Sequence, residues 1–597
     1  MSIQSNFPNT KPSLLLDFAN TKQLDNRVTF TRSTPAVYYD GKTTAMAEQN
    51  LILQSQTFDN ASWTKGNVTV TADSATTAPD GSTTADLFYP SSTGTWRIIY
   101  QARPKANIQY TITVYAKASG FSNFFVGFDN QTTTVAWFNL STGVKGTKGS
   151  SITSSDMTSV GNGWYRCQVV FTHPSDSFAL FGVSDADNSS TATASGTNGA
   201  LIWGAQLEQR STATAYTATT SQAITNYIPV LLTAASGVAR FDNNPTTGES
   251  LGLLIEESRT NLQVQSQYAS GWTAEGGALT ANTVIAPDGT LTGALVVANA
   301  TTSVHKGYPA TVGGLTTATT YTATVFMKAA GYNYGFIRDG FTGNYVIFDL
   351  SAGTVSSSSS ATGAITSVGN SWYRCSASML TSGTNFRMDT GICSTNAQTP
   401  STSWLGNGFS GIFIWGAQLE AGAFATSYIP TVASQVTRAA DAASMTGTNF
   451  STWYSINGGS LYGSYRIAFT SGTRYVLSID QNIQNYVELA GNSTTNRALL
   501  FNRSGNTLDV NITGTSAVSL TSLNQVAIAV ANNDFALYLN GTSQGTDTSA
   551  TLAQTLVSLE IGRYNEGSPG GYLNGTIAKI AYYPIRVSNT NLQALTS

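Results

Sequence analysis

The chain has 597 residues, and only 10 % of them are charged, against about 25 % in an average soluble protein. A net charge of -3 excludes bulk electrostatic attraction to nucleic acid or to an anionic membrane. With His173 and His305 as its only histidines, the chain is poorly equipped for a histidine-based hydrolase or a His-rich zinc site, and no enzyme is expected.

Ser, Thr, Asn and Gly replace the missing charge, while 27 Tyr, 26 Phe and 10 Trp supply material for cores. Thr and aromatics suit strands, Gly and Asn suit turns, and strong helix formers are scarce, so the expected class is all-β, built from sandwiches. The opening MSIQSNFPNTKPSLLLDF has no basic segment followed by a long apolar run, so no secretory signal is expected. No apolar stretch is long enough to span a bilayer, so no membrane insertion is expected. Residues 1–49 read as an N-terminal arm.

A first unit is expected over residues 50–222. Tyr110, Ile112, Val114 and Ala116 alternate with Thr111, Thr113, Tyr115 and Lys117, the period of a half-buried strand. Gly161-Asn162-Gly163 reads as a turn, followed by a second alternating run from Trp164 to Phe171. The unit's last core strand is IWGAQLE, Ile202 to Glu208. Strict alternation places Ile202, Gly204, Gln206 and Glu208 on one face, with Trp203, Ala205 and Leu207 on the other.

Residues 223–260 read as a bridge, and then the first unit's landmarks return in order over 261–438. Asn50-Leu51 recurs as Asn261-Leu262, Ala78-Pro79-Asp80-Gly81 as Ala286-Pro287-Asp288-Gly289, and YTITVYAKASG from Tyr110 as YTATVFMKAAG from Tyr321. SVGNGWYRC from Ser159 recurs as SVGNSWYRC from Ser367, and IWGAQLE returns at Ile414 to Glu420. A repeat this long is a duplicated domain and not a solenoid. Cys167 and Cys375 occupy matching positions and read as separate buried thiols; with Cys393 they form no disulfide framework.

The repeat stops near Ala439, and residues 439–597 form a third unit. Gln525 to Val530 alternates, Asn532-Asn533-Asp534 turns, and Phe535, Leu537 and Leu539 alternate again. Glu560 to Arg563 and Gly575 to Tyr582 read as further strands. Ser588 is placed to N-cap a short closing helix carrying Leu592 and Leu595.

The Trp pairs kept in both copies (Trp63/Trp272, Trp164/Trp372, Trp203/Trp415) are either sugar platforms or core, and their place in alternating strands favours core. Aromatics present in one copy only are the better ligand candidates: Trp96, Trp137, Tyr334, Tyr345 and Trp404. Sugar recognition needs an apolar face rimmed by polar groups, although Trp137 beside Phe138 suits core or subunit contact equally well. In the third unit, RYNEGSPGGY reads first as a plain hairpin loop, with ligand binding through Tyr564, Asn565 and Glu566 as the alternative. Among the carboxylates, Asp185 with Asp187 is one pair; Glu256 and Glu257 adjoin in a strand and so face opposite ways, which argues against paired acid chemistry. The APDG segments read as turns that could also offer oxygens to a structural calcium; no other metal or cofactor is expected.

The stretches NLILQSQTFDNASWT, APDGSTTAD, YTITVYAKA, GNGWYRC and IWGAQLE resemble carbohydrate-binding-module-like jelly rolls of tailed-bacteriophage virion proteins. The opening LDFANTKQLDNRVTFTRST and the bridge VARFDNNPTTGESLGLLIEESRTNL resemble segments that usually stand close together in such proteins; here the first unit lies between them as if inserted. FALYLNGTSQG and GYLNGTIAKIAYY resemble laminin-G or concanavalin-A-like lectin domains. The resemblance implies a virion structural protein made in the host cytoplasm, most simply a homotrimeric tail-fibre adsorption protein. Its partners would be other virion proteins, held through the N-terminal arm, and host-surface glycan. Two alternatives stay open: a capsid decoration or head-fibre protein that needs no sugar, and a glycan depolymerase.

Overall fold

In the computed structural model, the described residues are 11–597 apart from 104–106, 173–176, 268–270, 468–471, 493–496 and 566–569. The architecture is all-β, with three two-sheet sandwiches. The first two each stack one six-stranded antiparallel sheet on another. The third stacks a sheet of eight strands on a sheet of seven.

The alternating strands face as their sequences require. Tyr110, Ile112, Val114 and Ala116 enter the first core, and Tyr321, Ala323, Val325 and Met327 enter the second. The turn at Gly161-Asn162-Gly163 has all three residues at positive φ, and Trp164–Thr172 returns as a strand beside Gln109–Ser119. In the third unit, Asn524–Ala531 pairs with Asp534–Leu539 across Asn533, which adopts φ 58°. The closing helix spans Asn589–Thr596; the Ser588 side chain accepts from the Asn591 N–H, and Leu592 and Leu595 are buried.

IWGAQLE departs from strict alternation. Gly204 adopts φ 62° and Gly416 φ 66°, and in both copies the register slips by a residue beside the glycine. The bulge flips the parity, so Ile202, Ala205 and Leu207 share the core side while Trp203 lies in a separate cluster on the opposite face. The remaining letters also have structural jobs. Glu208 accepts from the Thr214 N–H at 2.9 Å, and Gln206 accepts from the Thr217 N–H at 2.6 Å, tying down the chain that follows. Gln418 does the same for the Ile429 N–H and Glu420 for the Thr426 N–H. A Cβ at Gly416 would meet Phe326 Cδ2 at 2.7 Å. Left-handed backbone and overpacking both act against a side chain there, so Gly416→Ala should lower stability by about 2 kcal/mol, read from denaturant unfolding.

The third sandwich draws strands from well outside 439–597. Leu14–Leu16 and Ser250–Ile255 both pair with Gly575–Tyr583, and Thr29–Thr31 pairs with Ala442–Thr446. The segments expected as arm and bridge are therefore woven into its sheets. Each jelly roll leaves this frame and returns to it at neighbouring points. Asn50 lies opposite Ile224, and Asn261 lies opposite Val436. Such close ends keep the entropic cost of closing a long excursion small.

A ribbon of Ala36–Asn50 paired with Ile224–Ala234 connects the units. Its Val37, Tyr39, Ala47 and Ile228 pack on Trp372, Trp415 and Tyr428 of the second jelly roll. Glu48 reaches Lys328 of the second unit at 2.5 Å, while Arg210 of the first unit donates to the Ala47 carbonyl at 2.6 Å. Cys167, Cys375 and Cys393 are buried and free; Cys375 faces the inter-sheet core, whereas Cys393 faces the outside of the opposite sheet.

Candidate functional site

Each jelly roll has two outer sheet faces, and one of them is already used. The side bearing Trp203 or Trp415 is a structural contact. Trp203 donates to Thr84 and Trp415 to Thr292, while Trp164 and Trp372 donate to the carbonyls of Thr77 and Ile285. In the second unit this side lies beneath the ribbon. Trp63 is buried in the first core, and Trp272 is half-buried against the second. The Trp residues kept in both copies are thus packing groups, as their alternating strands suggest.

The opposite outer face gathers four of the single-copy aromatics. In the first unit the strands Ile98–Arg103, Asn123–Gly127, Val135–Asn139 and Ser177–Ser184 present Ile98, Phe125, Val135, Trp137 and Leu180 as a small second core, with Trp96, Tyr100 and Phe178 half-buried around it. Trp96 meets Phe125 edge-on at 5.7 Å, and Tyr100 meets Phe178 at 4.9 Å. Trp96 holds φ 52°, a left-handed backbone that a bulky residue rarely adopts. Trp137 is closed off, its indole N–H donating to the Ser189 carbonyl at 2.8 Å. It belongs under the face and not on it.

The corresponding face of the second unit has a different chemistry. Register identifies the matching positions: Phe125 and Phe336 both lie opposite a glycine, Gly182 and Gly391, and those glycines lie opposite Ile98 and Lys306. By the same register Asp389 stands where the first unit has Leu180, Arg387 where it has Phe178, and Arg338 where it has Gly127. Tyr334 and Tyr345 are half-buried beside Phe336, Ile347 and Cys393. Lys306 Nζ lies 2.8 Å from buried Asp389, Arg387 Nε 2.7 Å and Arg338 Nη1 3.2 Å. The Arg387 guanidinium also sits over the Tyr308 ring, 4.2 Å from its centre.

Trp404 lies elsewhere, at the end of the second sandwich. It packs on His305 at 4.3 Å and Tyr332 at 5.0 Å, and its carbonyl oxygen lies 3.0 Å from His305 Nε2. His173 and Glu566 lie outside the described residues. Tyr564 meets Tyr475 at 4.9 Å with its ring tilted, and Asn565 beside it reaches a polar cluster of the third unit. There burial pushes Asp480 and Glu560 up, opposed by hydrogen bonds that include Asn565 to both carboxylates. Asn565 is thus partly committed within the domain.

The other carboxylates are engaged as well. Asp185 accepts from the N–H and hydroxyl of Thr193, and Asp187 accepts the same pair from Thr147. Asp80 accepts from Ser82 and Asp288 from Thr290, closing the APDG turns. Glu256 and Glu257 do point apart: Glu256 accepts from Ser427, and Glu257 pairs with Arg259 at 2.6 Å and Arg474 at 3.2 Å. Among the described residues no group of three or more His, Cys, Asp or Glu is arranged to hold a metal ion, and no helix is long and apolar enough to cross a membrane.

Tyr100, Phe178, Tyr308, Lys306, Arg338, Arg387 and Asp389 were not singled out from sequence. The signal for the charged ones was present, since comparing the copies for unmatched charge as well as unmatched aromatics points to Asp389 against Leu180.

No family model matches the sequence, and no curated protein matches it. Among solved structures, the chain is similar to the Ruminococcus gnavus IT-sialidase CBM40 bound to α2,3 sialyllactose. Identity is 19 %, covering 25 % of this chain and 88 % of that one, with a TM-score of 0.23. Domain 4 of AbnA, a GH43 extracellular arabinanase from Geobacillus stearothermophilus, in complex with arabinotriose, is 13 % identical over 29 % of this chain and 82 % of that one, with a TM-score of 0.23. A native heptameric SAP-like pentraxin from Limulus polyphemus is 12 % identical over 24 % and 70 %, with a TM-score of 0.20.

Proposed function

We propose that the chain is a glycan-binding structural protein of a tailed-phage virion, with an adsorption role, and that the outer faces bearing Trp96 and Tyr334/Tyr345 hold the sugar. The observation that carries this reading is Trp96. A half-exposed indole at φ 52° sits at the rim of an aromatic face, beside a loop held by Asp185, Asp187 and their threonine donors. Holding a non-glycine residue in that backbone region costs about 1–3 kcal/mol, and such strain concentrates at ligand sites. A partly exposed ring beside a polar loop suits the C–H face and polar rim of a sugar.

Binding on rigid sheet faces suits attachment. Several such faces on one particle convert weak single contacts into firm attachment. The motifs that resemble phage virion segments supply the virion part of the reading. Its test is the copy number per virion: a small multiple of the tail symmetry supports adsorption, while hundreds of copies would indicate shell decoration instead.

Glycan binding itself is tested on an array of host-surface and neutral polysaccharides. Trp96→Ala should weaken retention about tenfold, equivalent to about 1.4 kcal/mol, while the left-handed strain stays because alanine keeps the Cβ. Unchanged retention would remove Trp96 from the site.

A further inference from the structure

We propose that the second jelly roll recognises a sugar bearing a carboxylate, through Arg338 and Arg387, while the first recognises uncharged sugar; this rests on the glycan reading above. The argument begins with charge count. One buried carboxylate needs one cation, yet Lys306, Arg338 and Arg387 all converge on Asp389. A second carboxylate in contact is Glu275, 3.3 Å from Lys306 and half in water. Only these two carboxylates meet the three cations directly, Asp339 beside Arg338 being taken up by its own turn, so cationic N–H donors outnumber the acceptors in contact with them.

The excess lies at the surface. Lys306 is nearly buried, whereas the Arg338 and Arg387 side chains are 20 % and 28 % exposed. Arg387 spends Nε and Nη2 on the two Asp389 oxygens and Arg338 spends Nη1, and the outer N–H donors that each guanidinium keeps match a second carboxylate.

An apolar wall stands beside the cations. The hairpin turn after Arg338 carries Phe341, which is 57 % exposed. Its backbone is held by Asp339, which accepts from the Phe341 N–H at 3.0 Å and the Thr342 hydroxyl at 2.6 Å. Tyr345 lies opposite Arg338 in the register, and Tyr308 lies under Arg387. Aromatic rings next to paired arginines fit a ring sugar with an acidic substituent. The first unit has Gly127, Phe178, Ile98 and Leu180 at the matching places and so offers no cation there.

The test uses the full chain on an array of neutral, uronate- or sialate-bearing, and sulfated or phosphorylated glycans. Carboxylated glycans should be retained, weaken with salt, and lose at least about tenfold in affinity in the Arg338→Gln/Arg387→Gln variant. Neutral glycans should still bind through the Trp96 face. If the double variant fails to fold, Phe341→Ala leaves the ion cluster intact and should still weaken carboxylated glycans several-fold; no change there would overturn the proposal. Retention of neutral glycans alone would overturn it while leaving glycan binding standing, and retention of none would sink both. Preference for sulfated or phosphorylated glycans, or full binding by the folded double variant, would also refute it.

Discussion

Asp441→Ala should destabilise the protein by about 3–5 kcal/mol, measured by denaturant unfolding, because it leaves buried arginines without their carboxylate. Asp441 is fully buried and takes Arg32 at 3.0 Å and Arg240 at 2.6 Å. It also accepts the Glu256 N–H at 2.9 Å. Arg240 reaches on to Glu256 at 2.8 Å, and Arg438 approaches Glu256 at 3.6 Å. Burial alone would raise the Glu256 carboxyl, but Arg438, Arg240 and the Ser427 donors outweigh it and hold it at about 2.

This cluster joins distant parts of the chain. Arg32 comes from the opening segment, Arg240 and Glu256 from the bridge, and Arg438 and Asp441 from the return out of the second jelly roll. Arg32 also donates to the carbonyls of Ala235 and Val238. Losing Asp441 therefore loosens the seam between the frame and the second unit. Asp156→Ala is the control: its pair with Lys145 is 60 % and 50 % exposed, and breaking it should cost under about 1 kcal/mol. A loss below about 1 kcal/mol for Asp441→Ala would show that the cluster does not hold the seam.

The second large effect is expected at Asp389, and here the duplicated domain provides its own control. Asp389→Leu installs the first unit's residue at the matching position but strands Lys306 in the interior, and should cost about 3–5 kcal/mol. Lys306→Ile/Asp389→Leu installs the whole apolar pair, Ile98 and Leu180, and should recover the loss or exceed it by about 1–4 kcal/mol. A double variant no more stable than the single one would mean that the surroundings of the two faces have diverged too far for the exchange. Recovery would show that the charged cluster is not needed for folding.

The class of fold was legible because a strand's side chains alternate with period two whatever lies around them. Tyr110 to Ala116 and Tyr321 to Met327 face inward as their spacing demands. The copy-to-copy matches exposed the duplication, and the capping serine with its two leucines exposed the final helix. Of the single-copy aromatics, Trp96, Trp137, Tyr334 and Tyr345 lie on corresponding faces and Trp404 does not. Sequence could not tell that Trp137 lies beneath its face, because its indole is closed off by the Ser189 carbonyl, distant in the chain. IWGAQLE misled for a local reason: one glycine at positive φ reverses the parity of every residue after it.

Alternation, turn residues and internal repetition are short-range properties, and they already specified an all-β chain with two copies of one domain, packing tryptophans and separate buried thiols. Contacts between residues hundreds of positions apart carry no local pattern. Folding alone brought Leu14 beside Tyr582 and Arg32 beside Asp441, laid the ribbon over Trp415, and set half-buried rings around small buried clusters on the opposite faces. It also set Asp389 among three cations where its counterpart Leu180 lies among aromatics, because cross-strand register, and not nearness in sequence, chooses a side chain's neighbours.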